Sequence, residues 1–158
     1  MKTIPINIWR NPIYFLAFGF GSGRLPIAPG TWGTLFAIPL YLLVQDLPWF
    51  LYLTILIMAS VVGVWLCDIT DNAMGTHDYP GIVWDEICGY GLTMLGAPKG
   101  WLWVGLGFVL FRIFDIWKPW PISWIDKYVP GGLGVMVDDL AAAAYAWIVL
   151  QLIIYAMH

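Results

Sequence analysis

Two pairs of adjacent carboxylates have the residue types and spacing that suit metal chemistry. Asp85–Glu86 and Asp138–Asp139 each directly precede an apolar stretch. One acid at the start of a helix is expected as an N-cap, because it accepts free backbone N–H groups and suits the helix dipole. A second adjacent carboxylate needs a cation nearby. Because Mg²⁺ takes oxygen ligands, keeps waters and binds substrate phosphate, the four acids together predict a Mg²⁺ site.

A second set of charged residues recurs every three positions in FRIFDIWKPWP. On a helix, Arg112, Asp115 and Lys118 would share an arc of about 120°. This pattern predicts that Arg112 and Lys118 bind phosphate, while Asp115 orients one of them or the metal. The alternative is a stripe of snorkelling side chains at a membrane edge, flanked by Trp117 and Trp120. The acid pairs elsewhere in the chain favour the phosphate interpretation.

Two loops add further candidates. His77, in GTHDYPG, has Asp78 as its neighbour and could protonate a leaving alkoxide or contact phosphate, although a lone loop histidine is more often structural. The glycine-rich segment Gly19–Gly33 contains Arg24, a third candidate for phosphate binding. Its backbone N–H groups could also face an anion, and close packing at the membrane edge is the alternative.

The remaining acids and the thiols are expected to be structural. Asp68 and Asp71, spaced i,i+3, are interpreted as the solvated end of a helix. Cys67 and Cys88 are expected to be inert packing residues, and neither is followed by arginine six positions later, as a cysteine phosphatase loop requires. The Asp-x-Asp motif of aspartyl-phosphate enzymes is also absent from the sequence. The phosphate chemistry that remains is attack by a metal-activated water.

The composition determines what kind of structure must position these residues. The chain has 158 residues, of which 61% are hydrophobic and 11% charged, with a mean hydropathy of +0.78 and a net charge of −3. This is too little charge to solvate a globule of that size, and it excludes a disordered chain or a nucleic-acid-binding surface. We therefore predict a single membrane-embedded domain over residues 1–158.

Long apolar stretches predict the membrane spans. Leu47–Cys67 and Leu140–Met157 are free of charge and close to the roughly 20 residues that a spanning helix needs. Trp32–Gln45 is a shorter candidate that contains Pro39, which would kink it or delay its start.

Two further apolar pieces flank Lys99. We interpret Ile87–Pro98 and Gly100–Phe111 as the arms of a helical hairpin with its tip at residues 97–100. The predicted fold is therefore an all-α, polytopic membrane bundle of about four spans, one of them this short hairpin.

The charges also predict an orientation. With a cytoplasmic N-terminus, only Lys99 among the basic residues and only Asp46 among the acids lie outside. The catalytic face is then expected at the cytoplasmic membrane edge. The basic residues on that side are Lys2, Arg10, Arg24, Arg112, Lys118 and Lys127.

Four segments in order, GSGRLPIAPGTWGTL, HDYPGIVWDEICGY, FRIFDIWKPWPI and GGLGVMVDDLAA, resemble the phosphatidylglycerophosphatase A family. The resemblance runs from about Gly19 to Tyr145. It implies a helical catalytic core that removes the terminal phosphate of phosphatidylglycerophosphate with Mg²⁺, at the bacterial inner membrane. The positions that match the family are His77, Asp78, Asp85, Glu86, Arg112, Asp115, Lys118, Asp138 and Asp139.

On this hypothesis the two acid pairs hold Mg²⁺, and Arg112 and Lys118 take the phosphate oxygens. Asp78 and Asp115 are candidates for the general base, and His77 for the general acid. A membrane CDP-alcohol phosphotransferase is disfavoured, because its Asp-Gly-x2-Ala-Arg run is missing from the sequence. The alternative is a non-enzymatic transporter or structural membrane subunit with an acidic ion site, which predicts ionisable residues near the middle of spans.

Overall fold

The computed structural model describes residues 7–158, and within that range the chain is helical with no strand. The all-α prediction is therefore confirmed for these residues, whereas Lys2, used in the orientation argument, lies outside them. A short 3₁₀ helix, Ser22–Arg24, follows the first α-helix. The α-helices are α1 Pro12–Ala17, α2 Pro29–Val44, α3 Trp49–Met74, α4 Trp84–Thr93, α5 Trp101–Trp117, α6 Ile122–Tyr128 and α7 Gly131–Ala156.

Among the described helices, α3 and α7 are long and apolar enough to cross a membrane. Each has 26 residues, about 39 Å at 1.5 Å per residue, against a hydrocarbon core of roughly 30 Å. Only 22% of the most apolar part of α3 is buried inside the protein. Large side chains such as Ile55, Met58 and Trp65 are exposed instead. An apolar helix with this much exposed surface suits lipid rather than water, so the protein is membrane-associated.

Both long helices extend beyond the predicted stretches. The helix α3 continues past Cys67 to Met74, and α7 begins at Gly131, well before Leu140. The shorter candidate, α2, begins at Pro29 rather than later, and it contains Pro39 within the helix.

The predicted hairpin is present as α4 and α5, with shifted boundaries. Its first arm ends at Thr93, and Gly96 in the connection has a positive φ of 72°. The second arm continues past Phe111 to Trp117, so Arg112 and Asp115 are helical. The tip of the hairpin contains Lys99, as expected.

The helix α7 packs against α3, α4, α5 and α6. Ala142, Ala143 and Ala146 are fully buried along it, and such small residues let neighbouring helices approach closely. At Gly132 the approach is so close that a Cβ atom would lie 2.1 Å from the carbonyl oxygen of Val64 in α3. The start of α7 is therefore held directly against the last turns of α3.

The antiparallel connections place the starts of α2, α4 and α7 beside the ends of α3 and α5. We call this the site end, because it carries the candidate residues. At the opposite end, Lys99 and Asp46 form an ion pair with both side chains about two-thirds exposed. The two charges predicted to lie on the outer side of the membrane are thus paired with each other.

Candidate active site

Three carboxylates from two helices meet at the site end. Asp85 and Glu86 lie in the first turn of α4, where the helix dipole favours negative charge, and Asp139 lies in α7. Each offers one carboxylate oxygen within 4.8 Å of the others. Asp85 and Asp139 are only 3% and 2% exposed. We call these three residues the first acidic group.

Each member of the first acidic group has a buried oxygen without a hydrogen-bond partner: Asp85 Oδ1, Glu86 Oε2 and Asp139 Oδ2. Ionised carboxylates that are buried without a partner are strongly destabilising, and a bound cation relieves this cost. Three oxygen donors with free lone pairs are the ligand set that Mg²⁺ takes, so these residues fit that ion.

Arg112 lies beside this group. Its guanidinium forms an ion pair with Asp115 one turn later in α5, which confirms the predicted i,i+3 relation. A Cβ atom on Gly30, at the start of α2, would lie 2.9 Å from Glu86 Oε1 and 3.2 to 3.3 Å from the Arg112 terminal nitrogens. Glu86 and Arg112 therefore meet over the N-terminus of α2. A guanidinium and a helix N-terminus together suit a phosphate group.

A different set of carboxylates lies next to the first. Asp78, Asp126 and Asp138 also offer oxygens within 4.8 Å of one another, and we call them the second acidic group. The Lys118 ammonium donates hydrogen bonds to Asp138 Oδ2 at 2.7 Å and to Asp126 Oδ1 at 3.2 Å. Burial lowers the pKa of Lys118, but the bond to Asp138 and the two negative charges raise it above its usual value overall. The ammonium therefore stays charged.

The structure corrects the predicted placement of Asp138 and Lys118. Asp138 belongs to the second acidic group and not with the other three predicted ligands, because consecutive residues on a helix point about 100° apart. Since α7 begins at Gly131, Asp138 and Asp139 also lie inside the helix and not at its N-cap. Lys118 does not share a helix face with Arg112 and Asp115. The helix α5 ends before it, and its own φ is +50°.

Asp71 is buried, contrary to the prediction of a solvated helix end. It accepts backbone N–H bonds from Asp78 at 2.5 Å and Tyr79 at 2.8 Å, and a hydroxyl bond from Thr76 at 3.4 Å. Asp78 has a φ of +55°, a strained value for a residue other than glycine. The bonds to Asp71 hold this turn and so place Asp78 in the second acidic group.

In the described part of the chain, the His77 and Arg24 side chains form no ion pair with either acidic group. His77 has a side chain 48% exposed, with Nδ1 3.9 Å from Asp71 Oδ2. It lines a separate cavity of about 360 Å³ with Asp68 and Lys127. Arg24 is exposed and lies over the ring of Trp9, 5.9 Å from its centroid. Among residues 7–158, no carboxylate lies within ion-pair distance of Arg24.

A family model described as Phosphatidylglycerophosphatase A matches residues 15–154 of this chain. The chain belongs to the phosphatidylglycerophosphatase A family. Both acidic groups, with Arg112 and Lys118, lie inside the matched range. The resemblance drawn from the sequence motifs is thereby confirmed.

Individual relatives agree with this membership. A protein of Escherichia coli named Phosphatidylglycerophosphatase A is 51% identical over 133 residues, covering 84% of this chain and 77% of the relative. A Haemophilus influenzae protein of the same name is 43% identical over 149 residues, covering 93% and 91%. A Bacteroides thetaiotaomicron protein, provisionally named a phosphatidylinositol-3-phosphatase, is 37% identical over 143 residues, covering 84% and 87%. No solved structure matches the chain significantly.

Proposed function

We propose that this member of the phosphatidylglycerophosphatase A family hydrolyses the terminal phosphate monoester of phosphatidylglycerophosphate in a Mg²⁺-dependent reaction. The products are phosphatidylglycerol and inorganic phosphate. The names of the Escherichia coli and Haemophilus influenzae relatives support the substrate and the reaction. The observation that carries the metal dependence is the first acidic group, in which three carboxylates each keep a buried oxygen without a partner.

In this proposal, Asp85, Glu86 and Asp139 hold the ion. An ion held there would supply positive charge to the phosphate and would make a water molecule a better nucleophile. The protein's own contribution is to bind and orient the phosphate through Arg112 beside the N-terminus of α2. Asp115 orients the guanidinium through its ion pair with Arg112.

We further propose that the site end lies at the cytoplasmic face of the bacterial inner membrane. In this arrangement α3 and α7 span the bilayer, and α2 and the α4–α5 hairpin complete the bundle of about four spans. The exposed rings of Trp117, Trp120 and Trp124 near the site end support an interfacial position. A phospholipid headgroup would meet the site there while its acyl chains stay in the bilayer.

The substrate is tested with the purified full chain in detergent micelles. The micelles contain phosphatidylglycerophosphate or phosphatidylinositol 3-phosphate, and soluble glycerol 3-phosphate serves as a third substrate. We expect phosphate release to be fastest from phosphatidylglycerophosphate, to stop in EDTA and to return when Mg²⁺ is added. Release that EDTA does not affect would contradict the metal dependence. Faster release from phosphatidylinositol 3-phosphate would instead support the activity for which the third relative is named.

The orientation is tested by labelling single introduced cysteines with a membrane-impermeant maleimide. Asp46→Cys lies at the opposite end and Ser123→Cys in α6 at the site end; both positions are exposed. In intact spheroplasts we expect only Asp46→Cys to react, with Ser123→Cys reacting after lysis. The unaltered chain is the control, because Cys67 and Cys88 are buried. The reverse labelling pattern would refute the orientation.

A further inference from the structure

The second acidic group contains its own cation. Asp138 is 2% exposed, and its Oδ2 accepts the 2.7 Å bond from Lys118. The same ammonium donates to Asp126. Asp78, in the connection between α3 and α4, is the third carboxylate of the group. The Lys118 side chain is 27% exposed and the Asp126 side chain 40%, so the group opens toward the surface.

The backbone directs the ammonium into this position. Lys118 caps α5 in the left-handed region with a φ of +50°, and Pro119 follows it. Proline disfavours helical geometry in the preceding residue, which ends the helix at this point. The side chain therefore leaves the face of α5 that carries Arg112 and turns toward α6 and α7. A left-handed conformation is costly for a residue with a side chain. Here it places the Lys118 ammonium between Asp126 and Asp138.

We infer that the Lys118 ammonium is a tethered cation that occupies a position a second divalent ion would otherwise take. Enzymes that transfer phosphoryl groups often use two metal ions to stabilise charge on the attacking and leaving oxygens. In this chain the first acidic group binds an ion from solution, and the second holds a charge that the chain supplies itself. The catalytic meaning of this arrangement rests on the proposed function, but the cation position rests on the contacts of Lys118 alone.

This assignment changes the predicted role of Lys118. The ammonium is occupied by two carboxylates, so it is a positioning residue for Asp138 and its neighbours and not a direct phosphate ligand. Removing it would leave three carboxylates that each offer an oxygen within 4.8 Å of the others. In addition, Asp138 Oδ1 is already buried without a partner. Such a set takes a divalent cation. Lys118→Ala is therefore expected to create a second metal site.

The test counts Mn²⁺ ions bound per chain in the purified full-length protein, by electron paramagnetic resonance of the free ion. We expect one ion in the wild type, one in Lys118→Arg and two in Lys118→Ala. Lys118→Gln keeps most of the side-chain length without the charge, and it should also bind two. Lys99→Ala at the opposite end is the matched control and should bind one. Elution on size exclusion confirms that each variant is folded.

Double variants locate the additional ion. Adding Asp138→Asn to Lys118→Ala should return the count to one, whereas adding Asp85→Asn should remove the first ion and keep the second. The inference is overturned if both neutral variants bind no more ions than the wild type, or if the extra ion survives Asp138→Asn. A wild type that binds none, beside a Lys118→Ala variant that binds one ion lost with Asp138→Asn, would refute the proposed metal site but support the role of Lys118.

Discussion

The two acidic groups lie side by side at the same end of the helices, and α7 supplies adjacent residues to both. They differ in how their negative charge is compensated. In the second group, a lysine donates to two of the three carboxylates. In the first, all three side chains keep a buried oxygen without a partner. Because burying an unpaired charge costs several kcal/mol in a real protein, we propose that the first group binds a cation from solution.

The comparison shows why a cluster of acids alone does not identify a metal site. Both groups bring three carboxylates within the same 4.8 Å limit. Only the first combines deep burial with free oxygens on every member and lies beside Arg112, which can bind phosphate. The partners of the carboxylates, more than their number, distinguish a candidate metal site from a group whose charge a lysine already compensates.

The largest expected effect comes from removing a ligand of the first group. Asp139→Asn keeps the size of the side chain but removes its charge, so we expect phosphate release to fall by more than ~100-fold, beyond the 10- to 100-fold cost of disturbing the residues around metal ligands. Steady-state rates with saturating Mg²⁺ measure this. Asp46→Asn, the same change at the opposite end, is the control. Comparable rates in the two variants would show that the first group holds no catalytic ion.

A methyl group beside the first group is the next test. In Gly30→Ala, the added Cβ would lie 2.9 Å from Glu86 Oε1 and close to the Arg112 nitrogens, so one of these side chains must shift. We expect a loss of activity of roughly 10- to 100-fold, since small displacements in a catalytic site reach this size. Thermal unfolding in detergent should change little. Gly105→Ala is the control, because a Cβ there meets open space. Full activity in Gly30→Ala would show that the start of α2 does not contribute to the active site.

The support of the second group is tested at Asp71. Asp71→Asn weakens the charge-assisted bonds to Asp78 and Tyr79, which should cost about 1.5 to 3 kcal/mol of stability. The turn would then hold Asp78 less firmly, and we expect activity to fall about tenfold or less, the low end for an outer-shell residue. Asp68→Asn is the comparison, since Asp68 accepts one backbone bond, from Gly132 at 3.1 Å. An Asp71→Asn variant as stable and active as Asp68→Asn would refute this role.

The smallest effect is expected far from both groups. The pair of Lys99 and Asp46 is exposed, and such pairs contribute about 0 to 1 kcal/mol. Lys99→Ala should therefore change the activity less than twofold and the unfolding temperature by a few degrees at most. Activity assays and thermal shifts on the same preparation measure both. A loss as large as that in Asp71→Asn would mean that the two ends of the helices are coupled.

Much of the helical framework follows from local sequence. The long charge-free stretches predicted α3 and α7, and the apolar arms around Lys99 predicted the hairpin. The ends of these helices were less predictable. Gly131 and the glycines after it favour a loop by propensity, yet α7 begins there because Gly132 allows close packing against α3, which is a tertiary effect.

The site was predictable in its residue types and less so in its grouping. The i,i+3 spacing of Arg112 and Asp115 predicted that the two side chains meet, and they form an ion pair. Asp85 and Glu86 lie at the start of a helix, as expected. The separation of Asp138 from Asp139 depends on which neighbours face each side of α7, and no spacing in the sequence reveals that. Asp126 was missed for the same reason, since it reaches Lys118 only through the position of α6. The one local signal for the turn at Lys118 was Pro119.

The most direct test of the central claim is a crystal structure of the protein grown with Mn²⁺, with anomalous difference density measured at the manganese edge. The account predicts one peak, bounded by oxygens of Asp85, Glu86 and Asp139, and no peak among the carboxylates that contact Lys118. A peak in the second acidic group of the wild-type protein, or the absence of one in the first at saturating Mn²⁺, would contradict it.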